Sequence, residues 1–288
     1  MEDLLEKAKR MYELRFGAES RILNFDCEGR VLYVEFGGNV AFSCCAVDYF
    51  DDFCLILEEL SGIPHAVFSV FRDLDSFNVK IAKLDFLDEI KSAVKKCENI
   101  VKSRLMEFEE NGATEDSAFK ELCFCILTAN FSAEGGIKIQ KTIGDGFLTL
   151  PRNELYSALA KLGHRFPSTR ADYIVEARKY YGSLINTIKS FNCSRSAREW
   201  LSKNIRGIGY KEASHFLRNI GFKDLAIVDR HILKYLEGKR LIIAPKTLTK
   251  TKYIETEQIL SAIADKLSIT LAELDLYIWY MMTGKILK

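Results

Sequence analysis

The stretch "NIRGIGYKEASHFLRNIGFKDLAIVDRHIL", Asn204 to Leu233, decides how this chain is read. Helical patterns flank its centre, "SAREWLSKN" before and "KEASHFLRNI" after. Between them stand Gly207, Ile208 and Gly209. Glycine tolerates positive φ and close backbone approach, and Ile208 can plug the core from the turn. The N–H groups near Gly207 and Gly209 then point outward at the start of a new helix. Unsatisfied donors and a positive dipole there can hold a phosphate without base preference. The pattern reads as a helix–hairpin–helix, a sequence-independent DNA-binding element. An ordinary packing corner between two helices is the alternative.

Two residues add chemistry to the turn. Lys211 falls in the first turn of the new helix, where the dipole disfavours a cation. Partial burial and the positive helix end both favour its neutral, nucleophilic form, which can make a Schiff base with a sugar carbon. Asp229 lies eighteen residues further on, straight after the apolar Leu225, Ala226, Ile227 and Val228. It opens the pattern "RHILKYL", so an N-cap is its plain reading and a catalytic carboxylate its sharper one.

Outward from this centre, the 288 residues are long enough for one large domain or two smaller ones. The charge balance of +1 hides an asymmetry. Residues 1–90 carry 9 Lys/Arg against 18 Asp/Glu, whereas residues 200–253 carry 12 against 4. The second field suits a polyanion. No C-x-x-C pair occurs among the eight cysteines, and surroundings such as "AFSCCAV" and "ELCFCIL" predict buried thiols in a reducing compartment. None follows Cys193, which leaves the C-terminal part without thiolates for an iron–sulfur cluster. The four scattered histidines show no metal-ligand spacing. Neither a signal peptide nor a membrane span is evident, so a cytoplasmic, nucleoid-associated protein is expected.

The patterning shifts along the chain. "EDLLEKAKRMYEL" has helical spacing, and "RILNFDCEGRVLYVEFGGNVAFSCCAV" reads as three short strands with turns at Gly29 and Gly37-Gly38. "DYFDDFCLILEEL" is helical and "SVFRDLDSFNVKIAKLDF" is ambiguous. From about Asp85 the pattern becomes helical throughout, with start signals at Pro151, Ser168, Ser194 and Thr270. "EDSAFKELCFCILTANF" is apolar enough to be central. The expected fold is mostly α: a small acidic α+β domain over 1–85, then an all-helical domain over 86–288.

Gly207-x-Gly209-x-Lys211, followed by "AIVDRH" with Asp229, resembles the HhH-GPD superfamily of DNA base-excision glycosylases. The hairpin lysine marks its bifunctional members. "CILTANFSA" (125–133), "GHRFPSTRADYIVEAR" (163–178) and "LDLYIWYMMTGKILK" (274–288) extend the likeness to the archaeal-type 8-oxoguanine DNA glycosylase/AP lyase family, over roughly 115–288. The usual member is compact and purely helical, so residues 1–85 are extra and take no role from the family. The resemblance implies excision of 8-oxoguanine through a lysine Schiff base, then strand cleavage by β-elimination. Lys211 would be the nucleophile and Asp229 the charge that stabilises the sugar cation. Gly207 and Gly209 would grip the DNA backbone, and Asn130 would reach toward the gap in the duplex unless it is only a helix C-cap. Trp279 would stack on the flipped base unless it is only a core tryptophan of the last helix, and the terminal Lys288 would help recognise it unless it is only a frayed end. No redox cofactor or catalytic metal is implied, and a monovalent cation on the hairpin carbonyls is allowed. The partner is DNA with 8-oxoguanine or abasic sites, with no membrane, and a monomer is expected.

Three rivals stand beside this reading. One is the same chemistry on another oxidised base, which "WYMMTGKILK" opposes. Another is a non-catalytic hairpin module that only holds DNA, which has no need of Lys211 and Asp229 together. The third is a helical scaffold whose basic face is incidental.

Overall fold

The computed structural model describes residues 2–43 and 45–288; Cys44 lies outside the described residues. The chain begins α1 (Glu2–Phe16), β1 (Arg21–Glu28), β2 (Val31–Gly37), α2 (Ala46–Ser61), β3 (His65–Arg72) and β4 (Ser76–Lys83). Helices follow: α3 (Leu87–Asn111), α4 (Glu115–Thr128), α5 (Ala133–Ile143), α6 (Gly146–Thr149), α7 (Arg152–Lys161), α8 (Pro167–Ala177) and α9 (Leu184–Lys189). The last are α10 (Ser194–Asn204), α11 (Tyr210–Asn219), α12 (Arg230–Gly238), α13 (Lys250–Leu267) and α14 (Leu271–Thr283). The fold is mostly α after a small N-terminal sheet, as the patterning implies. No described helix is long and apolar enough to cross a membrane.

Two compact units emerge: Met1–Lys95 with Arg230–Ile269, and Lys96–Asp229 with Thr270–Lys288. The expected boundary at 85/86 differs from this division, because 230–269 joins the N-terminal unit.

In the first unit an antiparallel sheet runs β1-β2-β4-β3. Leu32, Val34 and Phe36 alternate along β2 and face Ile81, Val79 and Phe77 of β4 in register. These side chains bury with Leu5, Ala8 and Tyr12 of α1 and Phe50, Phe53 and Leu57 of α2. A third strand directly after β2 does not form. Gly38 takes φ 99°, and Asn39–Phe42 make a 3₁₀ turn that buries Val40 and Ala41. The neighbour of β2 is instead β4, from the ambiguous stretch, whose Phe77, Val79 and Ile81 keep the period of two that a half-buried strand requires. The 230–269 segment is tied in by named bonds. The Arg30 N–H and guanidinium donate to the carbonyls of Arg240 (3.1 Å) and Lys239 (2.9 Å). Phe86 meets Tyr235 edge-on, and Lys239 pairs with Glu89. Part of the positive charge on 200–253 is therefore neutralised within this unit.

The second unit is built around α4, whose residues from Glu121 to Thr128 are all buried. An apolar helix on every face belongs at a centre, and α5, α8, α9 and α11 pack around it. Its caps match the sequence signals in part. Thr270 closes a capping box with Glu273 on α14, and Pro167 rather than Ser168 opens α8. Cys193, not Ser194, holds the cap position of α10. Cys54, Cys97, Cys123 and Cys125 are buried thiols, as expected, whereas Cys27, Cys45 and Cys193 are exposed. Burial pushes the Cys123 and Cys125 thiols up and keeps them inert.

Candidate active site

α10 and α11 enclose the hairpin that the two glycines announce. Ile208 is buried at 4% exposure and anchors the turn, and its N–H donates to the Ile205 carbonyl at 3.2 Å. The two glycines serve different ends. Gly207 has φ 87°, and a Cβ there would sit 2.3 Å from the Tyr173 ring of α8. Any side chain would be strained and would displace that ring. Gly209 is extended (φ −96°, ψ −170°), so its need is not conformational. It occupies the N-cap of α11 with no side-chain cap, at the helix end where an anion is favoured. Arg206 lies 5.0 Å over the Tyr173 ring beside this turn and adds positive charge.

Lys211 is in the first turn of α11, with a side chain one-third exposed. Its Nζ lies 2.9 Å from Oε1 of Glu212, a neighbour only 14% exposed. An acidic residue in a first helical turn is itself favoured by the dipole, so Glu212 offsets the unfavourable place of Lys211. Sequence reasoning passed over Glu212, although it adjoins the lysine.

Two further residues of α11 share a stripe with Lys211, because spacings of four and seven return to the same helix face. His215 packs edge-on against Phe124 of α4, 5.5 Å between centroids. Burial, then the charges of Arg218, Lys211 and Lys288, hold His215 well below the usual histidine range. It is a neutral ring among three cations. Arg218 is 4% exposed and pairs with Asp275 of α14. Asp229 is half-buried and directly precedes α12, where an N-cap would stand. Its charge reaches both Arg218 and Asp275. Burial, reinforced by Asp229, pushes the Asp275 carboxyl up to about 6 despite Arg218. The stripe on α11 thus joins the hairpin lysine to the surroundings of Asp229 and to the C-terminal tail.

Asn130 lies just past α4, exposed, with φ 61°. The left-handed conformation suits asparagine at a helix C-terminus. Its loop is braced by the stretch 163–178. Arg170 donates to the Ala129 carbonyl at 2.6 Å, and His164 Nε2 lies 3.0 Å from the Leu127 carbonyl. Asn130 therefore ends the helix and presents its amide outward from a held loop. Trp279 is half-buried on α14. Lys288 is not frayed: its Nζ lies 2.6 Å from Oε1 of Glu121 and 4.7 Å from the Phe124 ring centroid. The ammonium is turned into the protein, which the sequence does not reveal. A carboxylate within the apolar run "ELCFCILT" was the one available signal.

Among the described residues, no group of three or more His, Cys, Asp and Glu side chains could hold a metal ion. A cleft of about 440 Å³ lies in the first unit, lined by residues such as Tyr33, Lys80, Ile243 and Lys252; none of the sequence-predicted site residues lines it.

Comparison with known proteins bears directly on this geometry. The family model described as 8-oxoguanine DNA glycosylase, with a helix–hairpin–helix, matches residues 101–269. The 8-oxoguanine DNA glycosylase/AP lyase of Methanocaldococcus jannaschii is 53% identical over 204 residues, covering 70% of this chain and 97% of that protein. The protein of the same name from Korarchaeum cryptofilum is 53% identical over 190 residues, 66% of this chain and 90% of its own. A crystal structure of the M. jannaschii 8-oxoguanine glycosylase/lyase with a 15mer DNA containing 8-oxoguanine superposes with a TM-score of 0.68 at 52% identity, over 70% of this chain and 99% of that one. The structure of the Thermotoga maritima 8-oxoguanine DNA glycosylase gives 0.67 at 44% identity, over 71% and 99%. With its hairpin, its lysine and more than half its length matched, this chain belongs to the 8-oxoguanine DNA glycosylase family.

Proposed function

We propose that this chain excises 8-oxoguanine from DNA and then nicks the strand at the resulting site, with Lys211 as nucleophile. The observation that carries this reading is the placement of Lys211: first turn of α11, at the exit of an uncapped hairpin, partly open to solvent and next to a carboxylate.

The target base is stacked in the duplex and must first be flipped out. The backbone at Gly207 and Gly209 grips phosphates beside the lesion, and Asn130 reaches toward the vacated space. Asp229, near the sugar, stabilises positive charge on it as the base departs. With Asp229 helping it lose a proton, the Lys211 amine forms a bond to the anomeric carbon, and the glycosidic bond breaks with its electron pair leaving on the base. Loss of a proton from nitrogen and opening of the sugar yield the Schiff base. Removal of a proton from the adjacent sugar carbon then expels the 3′ phosphate by β-elimination, and water releases the enzyme. No redox change occurs in any step, and no metal is needed to balance one. A monovalent cation on the hairpin carbonyls would reinforce the backbone grip without entering the bond changes. Trp279 supplies a stacking face for the flipped base, and the Lys288 tail contributes to its recognition. Every residue invoked belongs to one compact unit of a single chain, which supports a monomer acting on chromosomal DNA.

The test is borohydride trapping on an oligonucleotide with one 8-oxoguanine. The wild type should give a covalent band and a nicked strand. Lys211→Gln should give neither while still retarding the same DNA in a gel. A trapped band from Lys211→Gln would place the nucleophile elsewhere.

A further inference from the structure

A chain of buried polar groups runs through the same unit, and of its members the chemistry above uses only Lys288. Glu121 is 3% exposed in the otherwise apolar run of α4. Its Oε1 accepts from Lys288 Nζ at 2.6 Å and from Gln140 Nε2 at 3.0 Å. Its Oε2 accepts from Asn219 Nδ2 at 3.0 Å. Gln140 Oε1 also accepts from Lys288 Nζ. On the other side, Asn219 Oδ1 accepts from Arg218 Nη2 at 3.2 Å, and Arg218 Nη1 pairs with Asp275. Asp275 and Arg218 both sense the charge of Asp229.

These contacts form one continuous path: Lys288, Glu121, Asn219, Arg218, Asp275. The charges along it alternate in sign, with a neutral amide in the middle. A lone carboxylate buried as deeply as Glu121 is costly, so its persistence requires partners on both oxygens. It has them, and one is the last residue of the tail. The Lys288 ammonium is fully engaged by Glu121, Gln140 and the Phe124 face, so its function is to fix the tail's main chain.

We propose that Glu121 is a positioning residue for base discrimination, anchoring Lys288 at one end of a buried path that runs to Asp275. This rests on the reading of the chain as an 8-oxoguanine glycosylase. Glu121 touches no DNA in this scheme; it acts through Lys288. Its loss should therefore harm the step that needs the base and spare the step that needs only the sugar.

The experiment compares single-turnover rates on two oligonucleotides, one with 8-oxoguanine and one with a pre-formed abasic site. Glu121→Gln, which keeps shape, and Lys288→Met, which removes the partner, are each measured alone and together. Each single variant should lose about tenfold or more on 8-oxoguanine and stay within about threefold on the abasic site, the scale of one lost coupling. The double variant should be no slower than the slower single, because both remove one interaction. Abasic cleavage doubles as the test of folding within each sample. Equal losses on both substrates, unchanged 8-oxoguanine rates, or losses that multiply in the double variant would overturn the role of Glu121. A wild type that cleaves abasic sites but leaves 8-oxoguanine intact would instead overturn the glycosylase reading, and that appears before any variant is made.

Discussion

Two lysine–carboxylate pairs of the same chemistry sit in one unit of this protein in contrasting surroundings. Lys211 and Glu212 are chain neighbours at the open end of α11, with side chains 33% and 14% exposed. Lys288 and Glu121 are joined across the fold, 15% and 4% exposed. The first pair is local, reached by water and easily parted, as a nucleophile requires. The second shares its oxygens with Gln140 and Asn219 and lies against Phe124. Parting it would strand a charge away from water. Surroundings, not residue types, distinguish the two lysines: one lies at the open end of a helix and the other is held across the fold.

The comparison can be broken in several ways, the largest first. Asp229→Asn preserves shape but removes the charge proposed to support the sugar cation. Single-turnover excision should fall about 10²–10³-fold, the usual cost of deleting one preorganised electrostatic partner. A change of only a few-fold would reduce Asp229 to the helix cap its position also allows. Next is stability. Lys288→Met leaves Glu121 buried without its cation and should cost about 2–4 kcal/mol in denaturant unfolding, whereas Lys211→Gln should cost less than about 1 kcal/mol. Equal costs would erase the distinction drawn between the pairs.

A third test uses acid. The Asp275 carboxyl is raised by burial from its ordinary 3.8 to about 6 in the folded protein. The folded state therefore binds this proton more tightly than the unfolded one. The stabilisation from Asp275 is complete below about pH 4 and is lost as pH rises through about 6. The stability difference between wild type and Asp275→Asn should shift against the wild type across that window and level off above it. A difference that is flat from pH 4 to 7 would mean that Arg218 fully compensates the burial. The smallest effect is expected from Glu212→Gln. If Glu212 only steadies Lys211, trapping persists and the excision rate stays within about tenfold, as for a partly exposed ion pair. A loss beyond about 10²-fold, recovered at higher pH, would make Glu212 the acceptor of the lysine proton.

Local patterns alone made the hairpin and the helical fold legible. Gly207, Ile208, Gly209 and Lys211 lie within five residues, and backbone conformation and helix polarity act over that range. The central place of α4 was legible as well, since a helix apolar on every face has only one place to go. The sheet was half legible. β1 and β2 carry their turn at Gly29, but whether the next strand comes from 39–47 or from 76–83 depends on which apolar row meets β2 in register.

Tertiary structure decided the rest. The attachment of 230–269 to the N-terminal unit depends on bonds such as Arg30 to Lys239 and Arg240, over 200 residues apart in sequence. Glu121 reads in the sequence as an interruption of an apolar run, and Lys288 as a loose end. Only the fold brings them to 2.6 Å, across a separation of 167 residues. Sequence by itself determined where a nucleophile and a phosphate-gripping turn could form, because those depend on neighbours along the chain. The path from Lys288 to Asp275 required the fold, because burial and hydrogen-bond partnership belong to neighbours in space.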